Sequence, residues 1–408
     1  MCGGKVNPWL VIAIGTVVAF IASGVRMVYG VFAVPLEETF HVTRSEVMWP
    51  FSLSMIVWGV TQPFTGAFMD SYGPRKAILV CLILSALGFV TAAGAQSMWQ
   101  LSLGYGLLVG GSYSGLAVAA LSLLVSRWFA QQRGRALGII LAGMPLGQLA
   151  FSPLAGVLIT GWGWRGAFLA LAAITLAAFP LAWTFLREPG HITVGSPSTI
   201  DRKNLLFGRE VRQALRTRPY WMLLVAYFGC GFSGLLIIAH LPSMALEHGF
   251  SLSEGAAALG FVGAGGAIGS ILGGWVSDRV GRYRALALGY LLRGVGLFLL
   301  ALPISNLSSF YLFSLVAGAP MFFTIAITQL VIYEIYGIRI AGQMIGLTFL
   351  LHQVGSTIGP YFGGWTYENT GGYVLALVIA GGVLINSALW AWRLQVPALR
   401  YIADRGVT

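Results

Sequence analysis

Two arginines stand where a charge is expensive. Arg26 lies in the run Ala22-Ser-Gly-Val-Arg26-Met-Val-Tyr29, and Arg293 in Gly289-Tyr-Leu-Leu-Arg293-Gly-Val-Gly296. An ionised side chain at the middle of a bilayer costs roughly 2.5–3.5 kcal/mol even on insertion scales. A guanidinium cannot escape that cost by losing its proton. The 13 acidic residues all fall at or near the ends of apolar runs, so neither arginine has an evident carboxylate of its own. The donor fork of a guanidinium matches a carboxylate in two parallel bonds. The chemistry these residues allow is capture of a small organic anion in a water-filled cavity. A carrier of cationic drugs would be expected to embed an acid instead.

Other side chains could share that work. Tyr29 follows Arg26 by three residues, which puts it on the same face of a helix. Tyr113, Gln148 and Gln329 lie in other apolar runs and could donate to an anion, although each alone is more often an interhelical hydrogen bond. His240 and His352 are the only histidines inside such runs. Imidazole titrates in the range a proton-coupled cycle needs. His352-Gln353 precedes the helix-bending run Gly355-Ser-Thr-Ile-Gly359-Pro360, which suits a ligand for substrate or proton. His240 sits near a span end before Pro242, which suits a structural role. Five scattered histidines without a buried acid offer no catalytic or metal-binding cluster, so neither an enzyme nor a cofactor is expected.

These residues must be positioned by membrane helices. Of the 408 residues, 57% are hydrophobic and only 9% are charged. A soluble domain is about a quarter charged. A span needs roughly 20 apolar residues. Twelve are expected, at about 9–34, 47–69, 77–95, 100–126, 136–159, 165–186, 220–245, 255–277, 285–303, 307–333, 340–365 and 372–392. Twenty of the 24 basic residues then fall on one side, including Lys5, Arg75, Lys76, Arg127, Arg133 and Arg135. By the positive-inside rule that side is cytoplasmic and holds both termini, in the cell inner (plasma) membrane. The net charge of +11 is thus a topology signal and not a sign of nucleic-acid binding. Cys2, Cys81 and Cys230 have neither disulfide-framework nor metal spacing.

The chain repeats itself at an offset of 208. Gly66, Asp70 and Gly73 match Gly274, Asp278 and Gly281. Gly138, Gly147 and Gly156 match Gly346, Gly355 and Gly364, and Ser45-Glu46 matches Ser253-Glu254. This predicts an all-α protein of two parallel six-helix repeats, residues 1–186 and 220–408. The polar stretch 187–219 joins them, and Phe207 to Arg218 could form a basic amphipathic helix.

The segment Gly66-Ala-Phe-Met-Asp70-Ser-Tyr-Gly73-Pro-Arg75-Lys76 resembles the loop signature of the major facilitator superfamily. A second copy stands at Gly274-Trp-Val-Ser-Asp278-Arg-Val-Gly281-Arg-Tyr283-Arg284, with Tyr283 in place of a basic residue. Residues 127–135 resemble that family's basic loop between spans four and five. The resemblance covers the whole chain. It implies a monomeric transporter working by alternating access, with Gly66, Asp70, Gly73, Arg75, Lys76, Asp278 and Gly281 in its gate. It also implies that span one lines the central cavity, which makes Arg26 the stronger anion ligand, whereas span nine, with Arg293, is usually peripheral. Gly24 to Ser45 is similar to the first span of bacterial monocarboxylate-transporter-like proteins, implying symport of a monocarboxylate-like anion with a proton. Animal relatives carry an Asp and an Arg in span eight, and Gly260 to Ser270 has neither. The rival reading is a drug or metabolite exporter of the same superfamily. Its usual span-five motif is absent from Gly143 to Pro153, where no proline follows Gly147. An intramembrane enzyme or sensor is the remaining class, and neither a catalytic cluster nor an added soluble domain supports it.

Overall fold

The computed structural model describes residues 8–129, 133–186 and 209–394. All regular structure among them is helical. The first expected span is two helices, α1 (Pro8–Arg26) and α2 (Tyr29–Phe40), broken at Met27-Val28. Next come α3 (Arg44–Tyr72) and α4 (Pro74–Ala93). The fourth span is a broken run: α5 (Met98–Leu101), a π-helical segment Ser102–Val109, α6 (Gly110–Tyr113) and α7 (Val118–Trp128). The long α8 (Arg133–Phe185) carries spans five and six and turns at Gly163. A short α9 (Arg209–Ala214) precedes α10 (Arg218–Glu247), α11 (Leu252–Val280) and α12 (Arg282–Leu300). Then α13 (Leu307–Thr370) carries spans ten and eleven, and α14 (Val374–Arg393) the twelfth.

Eight of the described stretches are long and apolar enough to cross a membrane, and one of them, Gly138–Phe185, has the length for two crossings. The other three expected spans lie on α3, on the run from Met98 to Trp128, and on the second part of α13. That α13 crosses twice follows from its neighbours. Phe310 packs on His248 and Phe250, Tyr336 bonds Thr217 at the opposite end, and Pro360 is back beside His240. The side bearing Pro8, Arg218 and Arg393 is called here the terminal side, and the other the far side. The linker expected at 187–219 lies outside the described residues as far as 208. Of its amphipathic segment, α9 is helical and buries Val211 and Ala214 against the bundle.

The repeat is visible atom by atom. Thr43 with Glu46, and Ser251 with Glu254, form capping boxes at the starts of α3 and α11. Gly73 and Gly281 end those helices at φ 88° and φ 87°, a conformation in which a side chain would clash with its own backbone. A Cβ on Gly147 would overlap the Phe20 carbonyl, and one on Gly355 would overlap that of Phe228. Phe20 and Phe228 are themselves 208 apart. Glycine lets these backbones touch where lipid gives no hydrophobic drive for helices to associate. The halves meet by the same rule, Gly156 on Ser253 and Gly364 on Ser45.

Placing valine at Gly147 or Gly355 should cost about 1–3 kcal/mol by overpacking. The expected outcome is a lower unfolding midpoint for the purified protein in detergent. Gly138→Ala and Gly346→Ala should leave it unchanged, since nothing lies within 4 Å of either added Cβ.

Candidate functional site

Arg26 is the last residue of α1 and has no exposed surface. Its guanidinium carbon lies 4.4 Å from the ring centre of Tyr113 and 4.8 Å from that of Trp58. Nη2 points to Met55 Sδ at 3.0 Å, a weak acceptor. Nε and Nη1 are buried without a hydrogen-bond partner. The two ring faces attract the cation, yet neither neutralises it. On α3 and α8 the hydroxyls of Ser52 and Ser152 and Oε1 of Gln148 are also buried and unpartnered, and the buried Ser23 and Tyr113 hydroxyls face each other. These groups come from α1, α3, α6 and α8 of the first half. Buried polar groups are nearly always bonded, so these residues form the candidate site.

The break after Arg26 has its own support. Tyr105, in the π-helical segment, donates from its hydroxyl to the Arg26 carbonyl at 2.7 Å. It thereby satisfies an acceptor that an unbroken helix would have used.

The other expected ligands divide. Tyr113 is at the site. Gln148 donates to the Leu259 carbonyl at 3.4 Å across the two halves, leaving its oxygen free. Tyr29 is not at the site. Its hydroxyl donates to the Val47 carbonyl at 2.8 Å and its ring stacks on Phe51. The helix break between Arg26 and Tyr29 removes the shared face that their spacing predicts. Gln329 is half-buried and makes no side-chain hydrogen bond. His352 is 5% exposed, stacked on Phe349 and beside Tyr227, with Nδ1 near Gln353 Oε1 and Ser356 Oγ. Trp58 lies against Phe349 at 4.9 Å, which joins the neighbourhoods of Arg26 and His352. His240 bonds Tyr373 and the Pro360 carbonyl, a structural place. Arg293 is 2% exposed and reaches inward from α12 to Cys230 Sγ at 3.4 Å, deeper than a peripheral span suggests. Met55, Trp58, Tyr105 and Cys230 were not expected. Trp58 follows Met55 by three residues on α3, but nothing in their types points to a site.

At the terminal side, Gly66 does not make the close helix contact its type suggests, for nothing lies within 4 Å of its Cβ position. Gly73 donates its N–H to the Met69 carbonyl, and Arg75 bonds the Trp183 carbonyl at 2.6 Å. Lys76 lies over Tyr72, and Asp278 is exposed, with no ion pair among the described residues. Gly281 ends α11 as Gly73 ends α3. The Asp70 side chain and those of Arg127, Arg133 and Arg135 lie outside the described residues.

The far side is latched. Arg44 pairs with Glu37 at 2.7 Å and donates to the Tyr373 hydroxyl at 2.6 Å, while Glu368 accepts the Ser45 N–H at 2.7 Å. Farther in, Thr357 bonds the Ser52 carbonyl and Gln353 bonds that of Met55. Gly59 still meets Gln353 and Leu350, but beyond Gly59 and Pro145 no hydrogen bond or glycine contact joins the halves among the described residues. Burial opposes the charge on Glu368, but the Ser45 N–H and the Ser45 and Thr43 hydroxyls outweigh it and hold the carboxyl below its ordinary value.

The sequence model of the Major Facilitator Superfamily matches residues 14–290 and again 241–405. The chain is 29% identical to monocarboxylate transporter 13 of Rattus norvegicus over 92% of its own length and 86% of that protein's. It is 27% identical to the oxalate:formate antiporter of Oxalobacter formigenes, over 72% of this chain and 69% of that one. Among solved structures it superimposes on a bacterial homologue of the human lysosomal transporter Spinster, inward-facing and unoccupied. That match has a TM-score of 0.77 and 18% identity, over 96% of this chain and 98% of the other.

A depressed carboxyl contributes stability above its ordinary value and loses it as pH falls through the lowered one. Glu368→Gln imitates the acid form at neutral pH. Spin labels at the exposed far-side positions Glu38 and Val374 should report longer, broader distances in this variant. Wild-type protein should show the same change only on acidification below the ordinary carboxylate range.

Proposed function

Since the chain belongs to the major facilitator superfamily, whose members are transporters and not enzymes, we propose that it carries a small organic anion of the monocarboxylate kind by alternating access, with a proton as coupling ion. One observation supports the cargo above all others. Arg26 is fully buried, has two unpartnered nitrogens, and has no carboxylate beside it among the described residues. A carboxylate entering here would gain two charge-assisted bonds and relieve the uncompensated charge. The relatives named for monocarboxylates and for oxalate and formate fit the same chemistry.

The two six-helix units, 1–186 and 220–408, rock about this centre, tethered by 187–219. The terminal side is cytoplasmic by its basic residues, in the plasma or bacterial inner membrane, and the far side is the outside. In the conformation described, the outer latch is closed. The loop signatures, with Asp70, Arg75, Lys76 and Asp278 around the Gly73 and Gly281 turns, form the inner gate that replaces it when the halves rock. His352, near the seam between halves, is the proton-carrying candidate. The carrier acts as a monomer, since each chain holds a complete centre.

Proteoliposomes given labelled lactate, pyruvate and aromatic acids, with and without an imposed pH gradient, test the reading. Uptake is expected for at least one acid, stronger with acid outside. Arg26→Gln should abolish it with insertion intact, and Arg26→Lys should retain a small part. Uptake that survives Arg26→Gln makes the arginine structural. Uptake indifferent to the gradient removes the proton.

A further inference from the structure

Gly234 stands 208 residues after Arg26, so in the second half it holds the position that Arg26 holds in the first. A Cβ there would overlap Nη2 of Arg293 and come within 3.4 Å of Met321 Cε. Met321, in turn, stands 208 residues after Tyr113, the ring against the Arg26 guanidinium. The place left open by the missing side chain at Gly234 is therefore filled by a guanidinium that arrives from α12 instead of α10. The two halves differ in which helix supplies the cation and agree in where it sits.

Arg293, like Arg26, lies deep with no carboxylate on it among the described residues. Arg293 is 2% exposed. Its one hydrogen bond is from Nη1 to Cys230 Sγ, a weak acceptor that also faces Thr324 Oγ1 at 3.6 Å. No described carboxylate pairs with it. Tyr290, three residues earlier on α12, is fully buried, and its hydroxyl faces that of Thr328. A charged group this deep, with donors unused and only a sulfur within reach, can take an anion.

We propose that Arg293 is a second anion-coordinating residue, so that each half carries one seat for a carboxylate and the full load is two carboxylate groups. They arrive either as one dicarboxylate or as two monocarboxylates. The inference rests on the reading of Arg26 as the first seat.

Equilibrium binding of labelled lactate and labelled oxalate to the purified full-length protein tests it. Two lactates per chain identify separate monoanions. One lactate per chain, with oxalate bound about tenfold tighter or more, identifies a dicarboxylate. Either result is expected to depend on Arg293. Arg293→Gln should reduce lactate to one per chain in the first case, and bring oxalate down to lactate affinity in the second. Gly234→Ala keeps the charge but displaces the guanidinium, and should give the same loss. Arg293→Lys should recover part of it. The alanine and lysine variants carry the test if Arg293→Gln does not fold. Unchanged lactate stoichiometry and unchanged oxalate affinity in folded Arg293→Gln or Gly234→Ala protein overturn the second seat and leave the first standing. Lactate binding unaffected by Arg26→Gln overturns the first seat and the second with it.

Discussion

A permanent positive charge in a low-dielectric interior must find a negative one, and this protein withholds it. Burying an unpaired guanidinium is among the more expensive arrangements a chain can adopt. Here the expense is reduced by two aromatic faces and a thioether around Arg26, none of which cancels the charge. The acids that could have neutralised the arginines are spent instead on helix caps and on the far-side latch, as Glu46, Glu254, Glu37 and Glu368 show.

Much of the architecture could be read from glycine alone. The 208-residue offset predicted two equivalent halves, and the backbone contacts at Gly147 and Gly355 realise it with matched partners. Such contacts are legible because they forbid side chains, and a forbidden side chain leaves a mark in a sequence. The capping boxes, with Thr43 and Ser251 three residues before Glu46 and Glu254, were not read from the sequence, where only Ser45-Glu46 and Ser253-Glu254 stood out as a repeated pair. The break at Met27-Val28 and the π-helical segment left no such mark. Each depends on packing between helices far apart in the chain, such as Tyr105 against the Arg26 carbonyl.

The site was legible in part. Arg26 stood out by its charge, and Tyr113 by a polar tip in an apolar run. Tyr29 was misplaced because helical spacing assumes an unbroken helix. Met55 and Trp58 were invisible because an apolar residue on a membrane helix is unremarkable until its neighbour is known. Arg293 looked peripheral from its place in the chain order, and only its side-chain direction brings it to Cys230 and Gly234. The first loop signature could be recognised from its letters, whereas its Gly66 faces open space in this conformation.

The interruption at residues 27 and 28 has a mechanical consequence. Above it, α2 is pinned, with Gly30 against the backbone of Ile238 and Ala239 and the Tyr29 hydroxyl on Val47. Below it, α1 ends on the cation itself. A rod cut at this point need not swing as one piece. The lower segment can swivel on a two-residue joint while the upper one keeps its seat, turning the guanidinium without prising apart the far end. The buried charge and the far-end contacts are thus mounted on separate levers of one span.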